Sequence, residues 1–323
     1  MIGASRIAVS AILEPARALP GIDVRAIAAR DPARAGAFAR KHAIENVHAS
    51  YDALIDDPQV DLVYIATPPS HHAEVAIRAL RAGKSVLVEK PFAMSAGEAC
   101  AILAAAAASR TQAFEAMHSL HHPLFRRLGE MLAEWELGEV RHVRATFATP
   151  IAEDPADFRW HRALGGGALM DLGIYPLAWC RRMFGEAFTV TRASATWRAG
   201  VDIAFAASLR FAAGAEAEIR SSMVTPQHRA SLEIDCEHGR VAIDNPLVPH
   251  LGHRVTCLAR GGRSEIVVPG PTTYAAQLAA IRATIVDGAP FPLAADDPLC
   301  SMQAIDRVRA AIISPCARRR ISP

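Results

Sequence analysis

The 323-residue chain reads as an α/β protein in two parts. A doubly wound parallel sheet comes first, and an α+β domain with an open, largely antiparallel sheet follows. Short apolar strands alternate with helices through the first third of the chain. That spacing suits right-handed crossovers on a parallel sheet covered on both faces. Six strand-like segments joined by short turns come after it, the pattern of antiparallel pairing. The change of pattern at residues 117–123 sets the expected domains at 1–117 and 118–323.

The elements of the first part follow in order. Residues 23–29 (DVRAIAA) form an expected buried strand. Residues 31–42 form a helix with Asp31 as N-cap and Pro32 at its first position. Residues 60–66 (VDLVYIA) are a second strand, ended by Thr67-Pro68-Pro69. A helix over 70–82 takes Ser70 as cap and Gly83 as stop. Strand 85–88, helix 95–108 and strand 111–115 complete the alternation. In the second part, strands are expected at 140–148, 189–197, 203–211, 215–222, 229–236 and 240–244, with helices at 166–184, 274–287 and 298–313.

Composition excludes several classes. Hydrophobic residues make up 51% and charged residues 21%, too apolar for a disordered chain. The net charge is +2, and no basic run precedes Arg318-Arg319-Arg320, so a nucleic-acid partner has no electrostatic footprint. No apolar run is long enough to span a membrane. The cysteines (Cys100, Cys180, Cys236, Cys257, Cys300, Cys316) form no CxxC and read as reduced thiols of a cytoplasmic protein. Lysine occurs only at Lys41, Lys84 and Lys90, so of 35 basic residues the other 32 are arginine. In an arginine-rich chain, Lys90 marks a position that requires a compact, titratable ammonium.

A phosphate-binding turn belongs before the first helix. The candidate is Gly3-Ala4-Ser5-Arg6-Ile7-Ala8, which departs from GxGxxG at Ser5 and Ala8. Gly3 supplies the tight turn, and Ser5, Arg6 and Ile7 lead into the helix whose N-terminus favours an anion. Only Met1 and Ile2 precede Gly3. At about 3.3 Å per residue they are too short for a central strand, so the natural chain is expected to start upstream or to carry a damaged first strand.

Two stretches carry the chemistry. Residues 82–91 (AGKSVLVEKP) put Lys90 at the end of a strand, in the crevice where parallel sheets bind ligands. Residues 165–176 (GGGALMDLGIYP) run from a glycine turn into a helix, with Asp171 and Tyr175 on one face. Together, over residues 3–311, they make the chain resemble the Gfo/Idh/MocA oxidoreductases. Within that family it is most similar to the branch of dimeric dihydrodiol dehydrogenase, NADP-dependent xylose dehydrogenase and glucose–fructose oxidoreductase. The resemblance implies a Rossmann domain followed by an open α/β sheet domain. It also implies that Lys90 is the catalytic lysine, placed by a cis Lys90-Pro91 bond, and that Tyr175 is the general acid/base. Asp171 would orient a substrate hydroxyl or the lysine. A free tyrosine has a pKa of about 10, and a neighbouring ammonium lowers it by favouring the phenolate.

The same resemblance assigns cofactor contacts to Thr67, Pro68 and His72 beside the nicotinamide ribose, and to Glu89 and Lys90. At the end of the second strand it implies that Arg30 and Arg34 clasp a 2′-phosphate, which favours NADP over NAD. Asp31 argues the other way, but it reads as a helix cap. The branch often reads Glu-Ala-Phe-Met-Tyr-Arg-x-x-Pro where this chain has residues 115–123 (EAMHSLHHP), so Leu120 replaces an arginine and Ser119 an aromatic. That departure leaves the substrate open. His118, His121 and His122 do not have a zinc spacing, and no metal is expected.

The expected function is hydride transfer between NADP and a secondary alcohol or carbonyl of a sugar, polyol or trans-dihydrodiol. The rival is a non-catalytic nucleotide-binding sensor of the same fold; a third reading keeps NADP bound while oxidising one sugar and reducing another. A homodimer or homotetramer is expected through the outer face of the second sheet, where Ala204, Ala206, Ser208 and Arg210 alternate with apolar residues.

Overall fold

The computed structural model describes residues 1–134 and 137–312. Cys316, the Arg318-Arg319-Arg320 triplet and the expected helix end at Ile313 lie outside the described residues. By internal contacts the chain forms two compact units, Met1–His121 with Thr272–Met302, and His122–Pro271 with residues 303–312. A single cut after residue 117 divides the sequence but not these units. The helix Thr273–Asp287 returns to the first unit because Leu278 and Ile281 bury into the core formed by Ile12, Ile27 and Tyr64.

In the first unit all strand pairing is parallel. Ala26–Ile27 pairs with Asn46–Val47, and Leu62–Ile65 pairs with Ser85–Val88, which pairs with Ala113–Glu115. Ile2 bridges the two sets through Ala28 and Ile65, giving the doubly wound strand order 3-2-1-4-5-6. Val63, Ile65, Val86, Leu87 and Val88 are fully buried, as a sheet covered on both faces requires.

Local chemistry sets the helix starts. Asp31 accepts from the Ala33 and Arg34 amides, and Pro32 opens the helix Pro32–His42. Ser95 accepts from the Glu98 amide at the start of Ala96–Ser109. Ser70 is not a cap. A 3-10 turn, Pro69–His71, leads into the helix His72–Arg81 with no side-chain cap, and the Ser70 hydroxyl instead pairs with His71 Nδ1 at 3.0 Å. The strand expected at 23–29 shrinks to Ala26–Ile27. The strand Asn46–Val47 and the helix Tyr51–Ile55 are too short to leave a periodic signal.

The second unit is built on one eight-stranded sheet. In order across the sheet its strands are Gly262–Ile266, Arg254–Ala259, Gly239–Asp244, Arg229–Cys236, Val140–Ala148, Glu216–Ser222, Val201–Phe211 and Phe188–Arg198. Only Val140–Ala148 with Glu216–Ser222 is parallel; the other neighbours are antiparallel. The strand Val201–Phe211 buries alternate residues, with Ala204, Ala206 and Ser208 half-buried and Arg210 exposed on the other side. The first two strands of this order were not foreseen. Residues 262–266 expose most of their side chains, and only Val255 and Cys257 are buried in the neighbouring strand, so the apolar alternation is weak.

Candidate active site

The first unit gathers its candidate residues at the carboxyl ends of the parallel strands. Gly3 has φ 100°, and its amide donates to Ala28 O at 2.8 Å. A Cβ here would lie 2.6 Å from Ala66 O, so the turn admits only glycine. Ser5 and Thr67 both have hydroxyl oxygens that are buried without a partner. Buried polar groups are rarely left so, which makes these two hydroxyls candidates for contact with a polar ligand. Arg6 and Ile7 are exposed at the helix start. Arg34 donates through Nη2 to Ala4 O at 3.0 Å, which ties its guanidinium to the glycine turn. Arg30 is exposed just beyond the strand. Asp31 is engaged through Oδ1 by the Ala33 and Arg34 amides at 2.9 and 3.3 Å, the helix-cap role expected of it.

Lys90 leaves the strand Ser85–Val88 through a cis Lys90-Pro91 peptide. The Glu89 carboxylate accepts from the Tyr64 hydroxyl at 2.7 Å and from the Lys90 amide at 3.2 Å, which fixes the backbone under the lysine. His72 is 1% exposed. Its Nδ1 lies 2.9 Å from Pro91 O and its Nε2 lies 2.8 Å from Thr67 O. Both ring nitrogens are therefore occupied by backbone, and none is left for a ligand. The ring braces the Thr67-Pro68 loop against the Lys90-Pro91 turn. A neutral ring can donate to only one of the two carbonyls, whereas a protonated ring could donate to both. Complete burial outweighs that gain and lowers the His72 pKa to about 4.

The second unit holds the other two residues. Gly166 sits where a Cβ would be 2.4 Å from Arg159 O, and Gly167 (φ 118°) where one would be 2.0 Å from Asp202 Oδ1. The glycine run thus lets a loop and a carboxylate close onto the helix start. Asp202 Oδ2 accepts from the Leu169 amide at 2.8 Å, and burial raises its pKa to about 6. The chain continues as a π-helical segment, Leu169–Gly173, and then as the α-helix Ile174–Phe184. Such π-bulges recur at functional sites.

Asp171 is 4% exposed and accepts from Arg159 Nε at 2.8 Å. Tyr175 is 5% exposed, with its ring edge-to-face against Phe147 at 5.5 Å. Sequence reasoning missed Arg159 and Asp202, which touch the motif from residues 12 and 31 positions away from Asp171. The only available sign was the glycine run itself, which requires something to approach closely.

The residues of the 115–123 loop go to separate surroundings. Leu120 is buried in the 3-10 turn His118–His121. His118 pairs with the Thr273 hydroxyl at 2.9 Å and stacks on Tyr274 at 4.1 Å. His121 lies against Phe291. In the second unit, His122 Nδ1 accepts from the Leu124 amide at 3.1 Å, and burial, with His253 and His250 nearby, lowers its pKa to about 4. Among the described residues, no three His, Cys, Asp or Glu side chains are grouped to hold a metal.

Fold and site together define a nicotinamide-nucleotide-binding oxidoreductase. The family model "Oxidoreductase family, NAD-binding Rossmann fold" matches residues 1–117, and "GFO/IDH/MocA C-terminal domain" matches residues 125–242. An uncharacterized oxidoreductase of Rhizobium meliloti is 30% identical over 322 residues, covering 96% of this chain and 95% of that one. The trans-1,2-dihydrobenzene-1,2-diol dehydrogenase of Sus scrofa is 33% identical over 225 residues, 69% of this chain and 66% of that one. Among solved structures, the 3-ketoreductase KijD10 of Actinomadura kijaniata, in complex with NADP and TDP-benzene, superposes with a TM-score of 0.89 at 28% identity over 96% of each chain. The chain belongs to the Gfo/Idh/MocA oxidoreductase family.

Proposed function

We propose that the protein is an NADP-dependent oxidoreductase that interconverts a secondary alcohol and a carbonyl on a sugar, polyol or trans-dihydrodiol. The observation that carries this reading is Lys90, held at the carboxyl end of the parallel sheet on a turn braced by Glu89 and His72. The relatives support it: one acts on a dihydrodiol, and another is a ketoreductase solved with NADP.

The residues present fit the nucleotide. Gly3 gives close backbone approach, Ser5 and Thr67 offer unengaged hydroxyls, Arg34 stands over the turn, and Arg30 is exposed just beyond the strand. Two arginines suit a 2′-phosphate, and the acid between them is engaged by the helix start, so NADP is preferred to NAD. The bound nicotinamide supplies or accepts the hydride.

The chain's own residues handle the proton. We assign Tyr175 Oη to take the substrate hydroxyl proton on oxidation and to return it on reduction. Lys90 is the cation that favours the phenolate, and Asp171 orients a substrate hydroxyl or the lysine. A sensor would need none of this proton chemistry, and Lys90 and Tyr175 are both retained.

We further assign assembly as a homodimer or homotetramer to the outer face of the second sheet. There Arg192, Ser194, Ala206, Ser208, Glu218 and Arg220 line a shallow recess. Residence in the cytoplasm is supported by the described cysteines, which are all thiols. No described helix is long and apolar enough to cross a membrane.

The test is a fluorescence titration with NADPH and NADH, followed by turnover on a sugar, polyol and diol panel. Lys90→Met is expected to bind nucleotide but lose about 10²–10⁴-fold in turnover. Arg30→Ala is expected to weaken NADPH far more than NADH. Near-normal turnover by Lys90→Met, or equal losses for the two nucleotides, overturns the corresponding assignment.

A further inference from the structure

The backbone of Arg159 and its side chain have separate partners. Its carbonyl accepts from the Gly167 amide at 3.1 Å, and that bond locks the loop onto the glycine run whatever side chain is present. The guanidinium is directed elsewhere. Nε donates to Asp171 Oδ2 at 2.8 Å, and Nη1 reaches both oxygens of Asp157 at 3.2 Å. Asp157 in turn accepts from the Arg159 amide at 3.0 Å, and the guanidinium rests on the Phe158 ring, 4.8 Å from its centroid. One cation is therefore clamped by a carboxylate of its own 3-10 turn and aimed at the buried carboxylate of another element. Burial opposes the charge on Arg159, but Asp171 and Asp157 outweigh it and hold the guanidinium above its ordinary pKa.

A carboxylate as buried as Asp171 is costly to ionise unless a cation pairs with it. Its protonation state matters chemically. Ionised, it only accepts hydrogen bonds; protonated, it also donates. An acceptor is what an orienting group for a substrate hydroxyl or an ammonium must be.

We infer that Arg159 is a positioning residue of the oxidoreductase reaction, holding Asp171 as an oriented, acceptor-only carboxylate throughout the working pH range. The inference rests on the proposed placement of Asp171 in the active site. It adds a residue outside both sequence motifs, and it predicts which limb of the pH profile that residue controls. Removing Arg159 takes one cationic partner from the buried Asp171 and leaves the Asp157 carboxylate nearby, which favours the protonated form of Asp171.

The experiment is the pH dependence of kcat/KM for wild type, Arg159→Gln, Arg159→Lys and Asp171→Asn, with nucleotide binding measured alongside. Arg159→Gln is expected to move the acid limb upward by about 1–3 pH units and to regain activity as pH rises, with nucleotide affinity unchanged. Arg159→Lys keeps the charge but loses the fork. Its limb is expected near wild type with a lowered kcat, and it carries the test if the glutamine variant does not fold. Asp171→Asn is expected to lose activity together with the limb. A glutamine variant with an unmoved limb, beside an impaired Asp171→Asn, overturns the role of Arg159 and leaves the active-site reading standing. So does a lysine variant identical to wild type in limb and kcat. Full activity of Asp171→Asn removes Asp171 from the site and overturns both.

Discussion

Each unit steadies its share of the proposed active site with one titratable side chain held largely out of water, and the two respond oppositely to pH. In the first unit, the His72 imidazole spans Thr67 O and Pro91 O behind the lysine turn. In the second, the Asp202 carboxylate receives the Leu169 amide at the start of the helix that carries Asp171 and Tyr175. Burial resists charge on both. It lowers the histidine to about 4 and raises the aspartate to about 6.

The signs then diverge. Between pH 4 and about 6.5 the unfolded state binds more protons at His72 than the folded state does. That stability is complete above about pH 6.5 and is lost as pH falls through about 4. Between about 3.8 and 6 the folded state binds more protons at Asp202, so its stability is complete below about 3.8 and is lost as pH rises through about 6. Each shift of roughly two units is worth about 3 kcal/mol. Mild acid therefore weakens the brace behind the lysine and relieves the one beneath the tyrosine helix, so the whole chain's pH profile understates both.

The largest effect that tests this contrast is at His72. His72→Ala removes the ring that lies between two backbone carbonyls and donates to one of them, and it empties a fully buried site. It is expected to cost about 3 kcal/mol or more at pH 7, read from the urea midpoint. The deficit should shrink as pH approaches 4, where the wild-type histidine has lost its advantage. A cost below about 1 kcal/mol at pH 7 would mean that the ring is not a brace.

Asp202→Asn probes the other half and should go the opposite way. The amide oxygen still accepts from the Leu169 amide and cannot ionise. The variant escapes the cost of a buried charge but gives up about 0.3–1 kcal/mol of charge–dipole attraction at the helix start. It is expected to be more stable than wild type by about 2 kcal/mol at pH 7 and indistinguishable near pH 4. Destabilisation at pH 7 would show that the carboxylate is the favoured form and would dissolve the opposition.

The contrast also separates what the sequence shows from what it conceals. Strands 85–88, 140–148 and 229–236 were legible to the residue, because apolar residues and turn formers bracket them. Lys90, Asp171 and Tyr175 stood out as members of short motifs, where the determining neighbours lie within a dozen positions. His72 was visible as a residue but not as a brace, since its partners Thr67 O and Pro91 O are backbone atoms that carry no residue signature. Asp202 and Arg159 were invisible because tertiary closure over Gly166 and Gly167 brings them in. The return of Thr272–Met302 to the first unit is of the same kind: the helix could be read, but its docking partner could not.

The smallest effect serves as the control. Ser95 caps the helix Ala96–Ser109 with a hydroxyl that accepts from the Glu98 amide at 3.3 Å, whereas Asp202 reaches the Leu169 amide from a neighbouring strand. Ser95→Ala should cost about 1 kcal/mol, a third of the Asp202 term. A hydroxyl does not titrate in this range, so the penalty should be nearly the same at pH 4 and pH 7. If it instead varied with pH as strongly as the Asp202→Asn difference, the pH response would belong to helix capping in general. A flat penalty at Ser95 beside a steep one at Asp202 assigns the response to burial of a carboxyl group, the feature that sets the second unit's brace apart from the first.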